Sequence, residues 1–258
     1  LGKQTHSTKA GQDGRWKVSL GAMPAGGPHE LVVRAANTLT VRDVLVGEVW
    51  LASGQSNMAM TVRRCRDAQA EQAAADHPKI RMFTVKKAAQ LVPQADCQGS
   101  WQVCSPQTVA GFSGTAFYFG RRLHKELGVP VGLINSSWGG TAIEAWTSLE
   151  VQKKDNRLAP VFAPWKNKPG PDRNKPSNLF NGMIQPLVNM SIRGATWFQG
   201  ENNCAECAAR CGPADPKTKH PKDCDITANA TVCGNVLERS GYPCYLLAMI
   251  REFSAVGL

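Results

Sequence analysis

A serine follows an apolar stretch of the sequence, at the point where a buried strand would give way to a turn. The run Val44 to Ala52 predicts a buried strand, and the small and polar residues after it end that strand. In α/β folds the chemistry lies at the carboxyl ends of parallel strands, where backbone N–H groups can stabilise negative charge. Ser56 is therefore a candidate nucleophile. The alternative is a turn serine that bonds its own backbone.

A pair of glycines follows a second predicted strand. The apolar run 131–134 predicts that strand, and Gly139 and Gly140 come after it. A glycine lets the backbone come close to a ligand and present its N–H to developing negative charge. The alternative for either glycine is a tight turn without a catalytic role.

Two polar residues, Gln199 and Glu201, follow a third predicted buried strand, 194–198. Gln199 can donate from its amide to an oxyanion, and Glu201 can orient a neighbouring side chain by hydrogen bonds. For Glu201 the alternative is a carboxylate placed at a helix start by the helix dipole. Because the carboxyl ends of parallel strands meet at one edge of a sheet, the three motifs are predicted to converge.

Strands and helices alternate along most of the chain, which predicts an α/β fold with a parallel sheet covered on both faces. The remaining predicted strands are 80–85 and 244–250, and the predicted helices are 61–75, 113–127 and 179–188. The segment 91–107 contains prolines and a glycine and predicts a loop, in which Cys97 and Cys104 are close enough to bridge.

Residues 1–46 are predicted to be β-rich. The runs 16–20 and 30–34 alternate apolar and polar residues, and the turn-forming residues 26–28 separate them.

The composition fits a globular chain with a basic surface. The 258 residues, 42% of them hydrophobic, can bury one sizeable core. The formal charge of +10 is scattered, and no long basic run or nucleic-acid motif is present, so no nucleic-acid partner is predicted. The charge predicts a solvated surface that can steer an anionic substrate. No apolar run is long enough to span a bilayer.

Nine cysteines and several glycosylation sequons favour a secreted or lysosomal location. The sequons begin at Asn189 and Asn229, with Asn135 a third by pattern only. Five cysteines crowd the segment 204–233, where a disulfide-stapled loop is favoured over a zinc or iron–sulfur site. We therefore predict no metal and no cofactor.

Three sequence words together resemble the sialate O-acetylesterase family, a branch of the SGNH-type serine esterases. They are GEVWLASGQSNM (Gly47–Met58), NSSWGGTAIEAW (Asn135–Trp146) and WFQGE (Trp197–Glu201). The resemblance implies a flavodoxin-like three-layer α/β sandwich with a parallel sheet over residues 47–258, with a cysteine-rich insertion at about 203–244. It also implies that residues 1–46 are the C-terminal remnant of a β-sandwich domain.

The resemblance also implies roles for single residues. Ser56 would be the nucleophile, Gly140 and Gln199 would form the oxyanion hole, and Glu201 would orient its neighbours. The residues that the resemblance implies for substrate binding are Asn57, Trp138 and Gly139.

The family's Asp-x-x-His word, which would supply the catalytic base, does not follow WFQGE in this sequence. His220 and Asp223 stand in the reverse order, so His220 is not favoured as the base. The other histidines, none of which is favoured, are His6, His29, His77 and His124. We expect a fragment lacking both ends, which carries the nucleophile and the oxyanion donors but hydrolyses acetyl esters very slowly.

The function predicted from these features is hydrolysis of acetyl esters on sialic acid or related sugars, through an acetyl-serine intermediate. An acetyl-polysaccharide esterase of the xylan type is the alternative within the same class. A non-catalytic carbohydrate-binding protein, which keeps the fold without the base, is the alternative from another class. A metal-binding module built on the cysteines has little support in the sequence.

Overall fold

The computed structural model of the protein describes residues 1–199. Its strands are β1 (Gly26–Arg34), β2 (Thr38–Val46), β3 (Glu48–Gly54), β4 (His77–Thr84), β5 (Trp101–Cys104), β6 (Val131–Ser137) and β7 (Gly194–Phe198). Its α-helices are α1 (Ser56–Ala59), α2 (Ala68–Ala73), α3 (Gly114–Leu127), α4 (Leu149–Lys153) and α5 (Ala159–Phe162). The predicted strand 244–250 and the cysteine segment 204–233 lie outside the described residues.

Five strands form the central sheet in the order β5-β4-β6-β3-β7. β4, β6, β3 and β7 are parallel, and β5 pairs antiparallel with β4 at one edge. Counted along the chain within this sheet, the spatial order is 3-2-4-1-5, so β3, the first strand, lies between the two parallel neighbours β6 and β7. The predicted α/β fold with a mostly parallel sheet is confirmed.

Hydrophobic side chains cover both faces of this sheet. The alternation along β3 places Leu51 in the cluster on one face and Ala52 in the cluster on the other. On the Ala52 face the sheet packs against α3, whose Phe117 is fully buried, and on the Leu51 face it packs against Trp146 and Met183. A parallel sheet needs this cover on both faces, because its strands are apolar throughout.

The helix predicted from Ser113 to Leu127 is confirmed as α3. The Ser113 hydroxyl accepts a hydrogen bond from the N–H of Ala116 at 3.1 Å, which caps the first turn. Gly128 ends the helix in the left-handed conformation, with a φ of +68°.

Two other predicted helices are shorter or differently wound than their composition suggests. In 61–75 only α2 is α-helical, because Asp67 adopts a left-handed φ of +55° and separates it from a 3₁₀ turn at Val62–Arg64. In 179–188 the chain forms a π turn at Phe180–Ile184 and then a 3₁₀ turn at Gln185–Leu187. Pro186 has no N–H to donate in a regular α-helix, which explains why the segment 179–188 does not form one.

The loop predicted over 91–107 contains β5, so that prediction is wrong at Trp101–Cys104. The proline and glycine residues on either side of this short strand favour a loop, so the strand was not predicted. Trp101 is 45% exposed and packs against the ring of Phe83, with 5.4 Å between ring centroids. Cys97 and Cys104 are free thiols in the structure, so the bridge suggested by their spacing is not formed.

The predicted strand Val44–Ala52 is divided between two sheets. Gly47 separates β2, which pairs antiparallel with β1, from β3 in the central sheet. A Cβ at Gly47 would lie within 2.0 Å of the carbonyl oxygen of Pro130, so this crossing point excludes any side chain. The apolar run therefore crosses from the hairpin into the central sheet.

The N-terminal part is less regular than predicted. The strand predicted at 30–34 lies within β1, which begins at the predicted turn residue Gly26, but residues 16–20 form no strand. Trp16 is 55% exposed and Leu20 is 43% exposed, so their alternation has no sheet to pack against among residues 1–199. Arg81 of β4 links the hairpin to the central sheet by bonding both carboxylate oxygens of Asp43, at 2.7 and 3.0 Å.

Candidate active site

Three strands of the central sheet end side by side at Gly54. In the register of the sheet, Gly54 of β3 lies opposite Ser137 of β6 and opposite Phe198 of β7. The predicted site residues follow within three positions of these strand ends: Ser56 after Gly54, Gly139 and Gly140 after Ser137, and Gln199 after Phe198. The structure therefore brings Ser56, the glycine pair and Gln199 to one edge of the sheet, as the sequence predicts.

Gly54 is the residue that lets the strands end so closely together. Its φ is +135°, and a Cβ there would lie 2.1 Å from the carbonyl oxygen of Phe198. The next residue, Gln55, is buried and donates its backbone N–H to the same oxygen at 3.0 Å. The turn that carries Ser56 is thus fixed directly against the end of β7.

Ser56 begins the one-turn helix α1, and its side chain is exposed at the edge of the sheet. Two residues further on, Met58 is buried and anchors the turn, since its carbonyl oxygen accepts a hydrogen bond from the Ser113 hydroxyl at 2.6 Å. A hydroxyl held on a fixed backbone and open to solvent is what a nucleophilic serine requires.

The glycine pair lies against Ser56. A Cβ on Gly139 would lie 3.4 Å from the Cα and 3.7 Å from the Oγ of Ser56. Gly140 has a φ of +70°, which L side chains rarely adopt. Trp138, the residue before the pair, donates its N–H to the carbonyl of Gly54 at 3.1 Å. The backbone of this loop therefore runs beside the serine turn.

Buried hydrogen bonds hold the glycine loop in place. The hydroxyl of Thr141 donates to the carbonyl of Trp138 at 2.7 Å and accepts from the indole N–H of Trp146 at 2.9 Å. The side-chain amide of Gln199 donates to the carbonyl of Thr141 at 2.6 Å. This bond holds the side-chain amide of Gln199 beside the glycine loop.

The other predicted substrate residues lie around the same edge. The carbonyl of Asn57 accepts a hydrogen bond from the Thr115 hydroxyl at 3.0 Å, and its side chain is half-buried. The half-buried ring of Trp138 has the Lys87 ammonium 5.6 Å from its centroid. Glu201 lies outside the described residues, so its orienting role stays a prediction.

The two histidines next to the central sheet, His77 and His124, lie away from the edge that carries Ser56. His77 is the first residue of β4 and therefore lies at the opposite edge of the sheet, where burial, with the nearby charges of Arg121 and His124, lowers its pKa. His124 lies in the last turn of α3 and its Nδ1 bonds the Val129 carbonyl at 2.7 Å. The N-terminal histidines are His6 and His29, and His220 lies outside residues 1–199.

One charged residue at the site was not predicted from the sequence. The guanidinium of Arg173 comes to 3.8 Å from the place of a Cβ on Gly140. Arg173 belongs to the surface segment after the second motif and has no sequence pattern that links it to the glycines. Within residues 1–199, no group of three histidine, cysteine, aspartate or glutamate side chains is placed to hold a metal ion.

A serine on the turn after β3, with glycines after one neighbouring strand and an amide after the other, defines an SGNH-type α/β serine esterase arrangement. Over residues 46–211 the chain matches the model of the family described as carbohydrate esterase, sialic acid-specific acetylesterase. The chain belongs to this family.

Relatives of known name agree with this assignment. The chain is 38% identical over 215 residues to the sialate O-acetylesterase of Homo sapiens and 36% identical over 242 residues to that of Rattus norvegicus. Each match covers 78% of this chain but only 40% and 44% of the relative, so the chain spans less than half the length of these relatives.

A solved structure is similar over nearly the whole chain. A carbohydrate acetylesterase from Xanthomonas citri aligns with a TM-score of 0.71 and 34% identity, covering 95% of this chain and 46% of that one. The described residues include no helix long and apolar enough to cross a membrane.

Proposed function

We propose that the protein hydrolyses acetyl esters on sugars, with Ser56 as the nucleophile. The observation that carries this proposal is the meeting of three strand ends at Gly54, which sets the Ser56 hydroxyl beside the Gly139–Gly140 backbone. An esterase needs a nucleophile and oxyanion donors within reach of one acetyl group. The names of the relatives, sialate O-acetylesterase and carbohydrate acetylesterase, support acetylated sugars as the substrate class.

The chemistry proceeds in two steps. Ser56 Oγ attacks the acetyl carbonyl carbon while its proton passes to a base, and the resulting oxyanion accepts hydrogen bonds from the Gly140 N–H and the Gln199 amide. The C–O bond to the sugar then breaks, the sugar oxygen takes the proton, and acetyl-Ser56 remains. Water attacks this ester in the same way, which releases acetate and restores the serine.

His77 and His124 lie at the edge of the central sheet opposite to Ser56, so neither is a candidate for the base. The same base takes the Ser56 proton in the first step and activates water in the second, so covalent labelling of Ser56 reports directly whether the serine is activated.

The decisive experiment combines hydrolysis of an activated aryl acetate with covalent labelling by a fluorophosphonate. We expect acetate release above the buffer rate and one label, found by peptide mass spectrometry on Ser56. Ser56→Ala should abolish both, while Ser100→Ala, at an exposed serine just before the edge strand β5, should leave both unchanged. If Ser56→Ala keeps the hydrolysis rate, or the label falls elsewhere, the proposed nucleophile is wrong.

The substrate-binding roles proposed for Asn57, Trp138 and Gly139, and the orienting role of Glu201, rest on the family resemblance and on the position of the first three beside Ser56. Sialic acid is the substrate we favour over acetylated xylan. Saturable binding of an acetylated sugar without any covalent label would instead support the non-catalytic carbohydrate-binding alternative.

We further propose a secretory or lysosomal location. Asn189 is exposed and so accessible for glycosylation. Asn135 is 7% exposed within β6, and its side-chain oxygen accepts a bond from the Ser137 hydroxyl at 2.6 Å, which makes that sequon unsuitable. Glycosidase treatment of the natural protein, followed by mass spectrometry, tests the proposal.

A further inference from the structure

An exposed guanidinium lies at the rim of the proposed oxyanion hole. Arg173 Nη2 is 3.8 Å from the position that a Cβ on Gly140 would occupy, and a Cβ on Gly139, one residue earlier, would lie 3.7 Å from Ser56 Oγ. Arg173 and Ser56 thus lie beside adjacent residues of the same glycine loop. A sugar whose acetyl group reached Ser56 would place its other substituents near this guanidinium.

The backbone around Arg173 is fixed to the glycine loop. The side-chain oxygen of Asn174 accepts a hydrogen bond from the N–H of Ala142 at 3.0 Å. The carboxylate of Asp172 accepts from the N–H of Asn174 at 2.7 Å, and Ser177 donates its N–H to the carbonyl of Glu144 at 2.9 Å. Arg173 therefore lies on a segment tied to the same loop that carries the oxyanion N–H.

The charge of Arg173 is not neutralised by the part of the chain that the structure describes. No carboxylate of residues 1–199 lies within ion-pair distance of its guanidinium, and the nearest acidic neighbour in sequence, Asp172, bonds backbone instead. Lys175 bonds only the carbonyls of Lys168 and Gly170, and Lys87 adds a further cation beside Trp138. This rim of the site is therefore electropositive.

We infer that Arg173 forms a carboxylate-binding subsite, which recognises an acidic sugar while Ser56 attacks an acetyl ester on the same sugar. A guanidinium binds a carboxylate through two parallel N–H···O bonds, which gives orientation as well as affinity. The inference rests on the proposed function, because it places the carboxylate relative to the acetyl group. It makes Arg173 a specificity residue and gives it no part in bond breaking.

The first test is a binding measurement that does not depend on turnover. An O-acetylated sialic acid and its carboxyl methyl ester are titrated against the Ser56→Ala protein by calorimetry or ligand-observed NMR. We expect the acid to bind about 10-fold or more tightly than the ester, and Arg173→Gln, added to Ser56→Ala, to remove that difference by weakening only the acid. Arg173→Lys should keep part of it, since the charge remains but the paired geometry is lost.

Lys125→Gln is the matched control. Lys125 is an exposed cation in the last turn of α3, at the opposite edge of the sheet, and its loss changes the net charge by the same amount. This variant should leave both affinities unchanged. Equal binding of acid and ester by the protein with Arg173, or an unchanged acid affinity in Arg173→Gln, would overturn the inference.

The second test separates this inference from the proposed function. With the Ser56 enzyme, Arg173→Gln should raise KM for the acid by about 10-fold and leave kcat and the turnover of a neutral aryl acetate unchanged. A fall in rate on the neutral ester would show that Arg173 acts on the oxyanion, which contradicts a carboxylate subsite. Absence of any Ser56 acylation, with carboxylate discrimination intact, would instead defeat the esterase proposal alone.

Discussion

Gly139 runs so close to Ser56 that a Cβ on the glycine would lie 3.7 Å from the serine Oγ. The two residues come from loops after neighbouring parallel strands, more than eighty positions apart in the chain. Their contact is fixed by the common register point of the strands at Gly54. A small change in either loop should therefore alter the reacting geometry without unfolding the sheet.

The conformation of Gly140 should matter for catalysis as well as for stability. Gly140→Ala forces an L side chain into a φ of +70°, at a cost of about 1–2 kcal/mol in the free energy of unfolding. Relaxation of that strain would turn the N–H away from the oxyanion, so we expect kcat to fall about 10- to 100-fold.

Gly128→Ala provides the control for this variant. Gly128 has a similar φ of +68° and open space around its Cβ position, but it lies at the end of α3. The Gly128→Ala variant should lose about as much free energy of unfolding as Gly140→Ala, measured by urea unfolding, and keep full activity. Equal loss of kcat in both variants would show that strain alone explains the effect.

The second prediction concerns Gln199. If its amide donates to the oxyanion, Gln199→Ala should lower kcat about 10²- to 10³-fold with little change in KM. Gln102→Ala, an exposed glutamine on β5, should have no effect. Steady-state kinetics on an aryl acetate, together with a thermal melt for each variant, measures this. A fall confined to the melting temperature would mean that the bond to Thr141 is the whole role of Gln199.

The third prediction concerns folding. A Cβ at Gly54 would lie 2.1 Å from the carbonyl oxygen of Phe198, so Gly54→Ala must separate β3 from β7. We expect a loss of about 3 kcal/mol or more in the free energy of unfolding, or failure to fold. Gly170→Ala is the comparison, because Gly170 has a φ of +89° but nothing near its Cβ position. Similar urea midpoints for the two variants would contradict the packing described here.

The fourth prediction concerns the thiols. Burial raises the pKa of Cys104 to about 11 and also raises the pKa of Cys97. Because the thiolate is the reactive form, Cys104 should stay unlabelled by iodoacetamide at pH 8 and react only after unfolding. Labelling should increase as the pH approaches 11. Peptide mass spectrometry measures this, and a Cys97–Cys104 disulfide in the natural protein would contradict the structure.

The sequence was a good guide to the site because the motifs are local. Ser56, Gly139–Gly140 and Gln199 each follow an apolar run, and a turn after such a run is visible without knowledge of the fold. Their convergence could be predicted as well, since parallel strands share one edge for their carboxyl ends. Arg173 could not be found this way, because its place beside Gly140 depends on hydrogen bonds between distant segments.

The wrong element predictions have a common physical origin. The run Val44–Ala52 has a continuous apolar composition, but Gly47 passes so close to Pro130 that the chain changes sheets there. The strand predicted at 194–198 exists as β7 but is only half-buried, because within residues 1–199 it is the outermost strand. Residues 16–20 alternate without a partner strand. The sequence shows which residues are apolar and how they alternate along the chain. Which strands pair in a sheet depends on the neighbouring segments, which the local sequence does not show.

The amino-acid sequence by itself determined the family, the α/β class with its alternation of strands and helices, and the residue types available for ester chemistry. Those properties are carried by short runs whose hydrophobic period and turn residues act locally. Only the tertiary structure decided that Gly54 aligns three strand ends, that Gly139 lies beside Ser56 and that Arg173 lies beside Gly140. These contacts join residues far apart in the chain, and their distances follow from sheet register and loop anchoring.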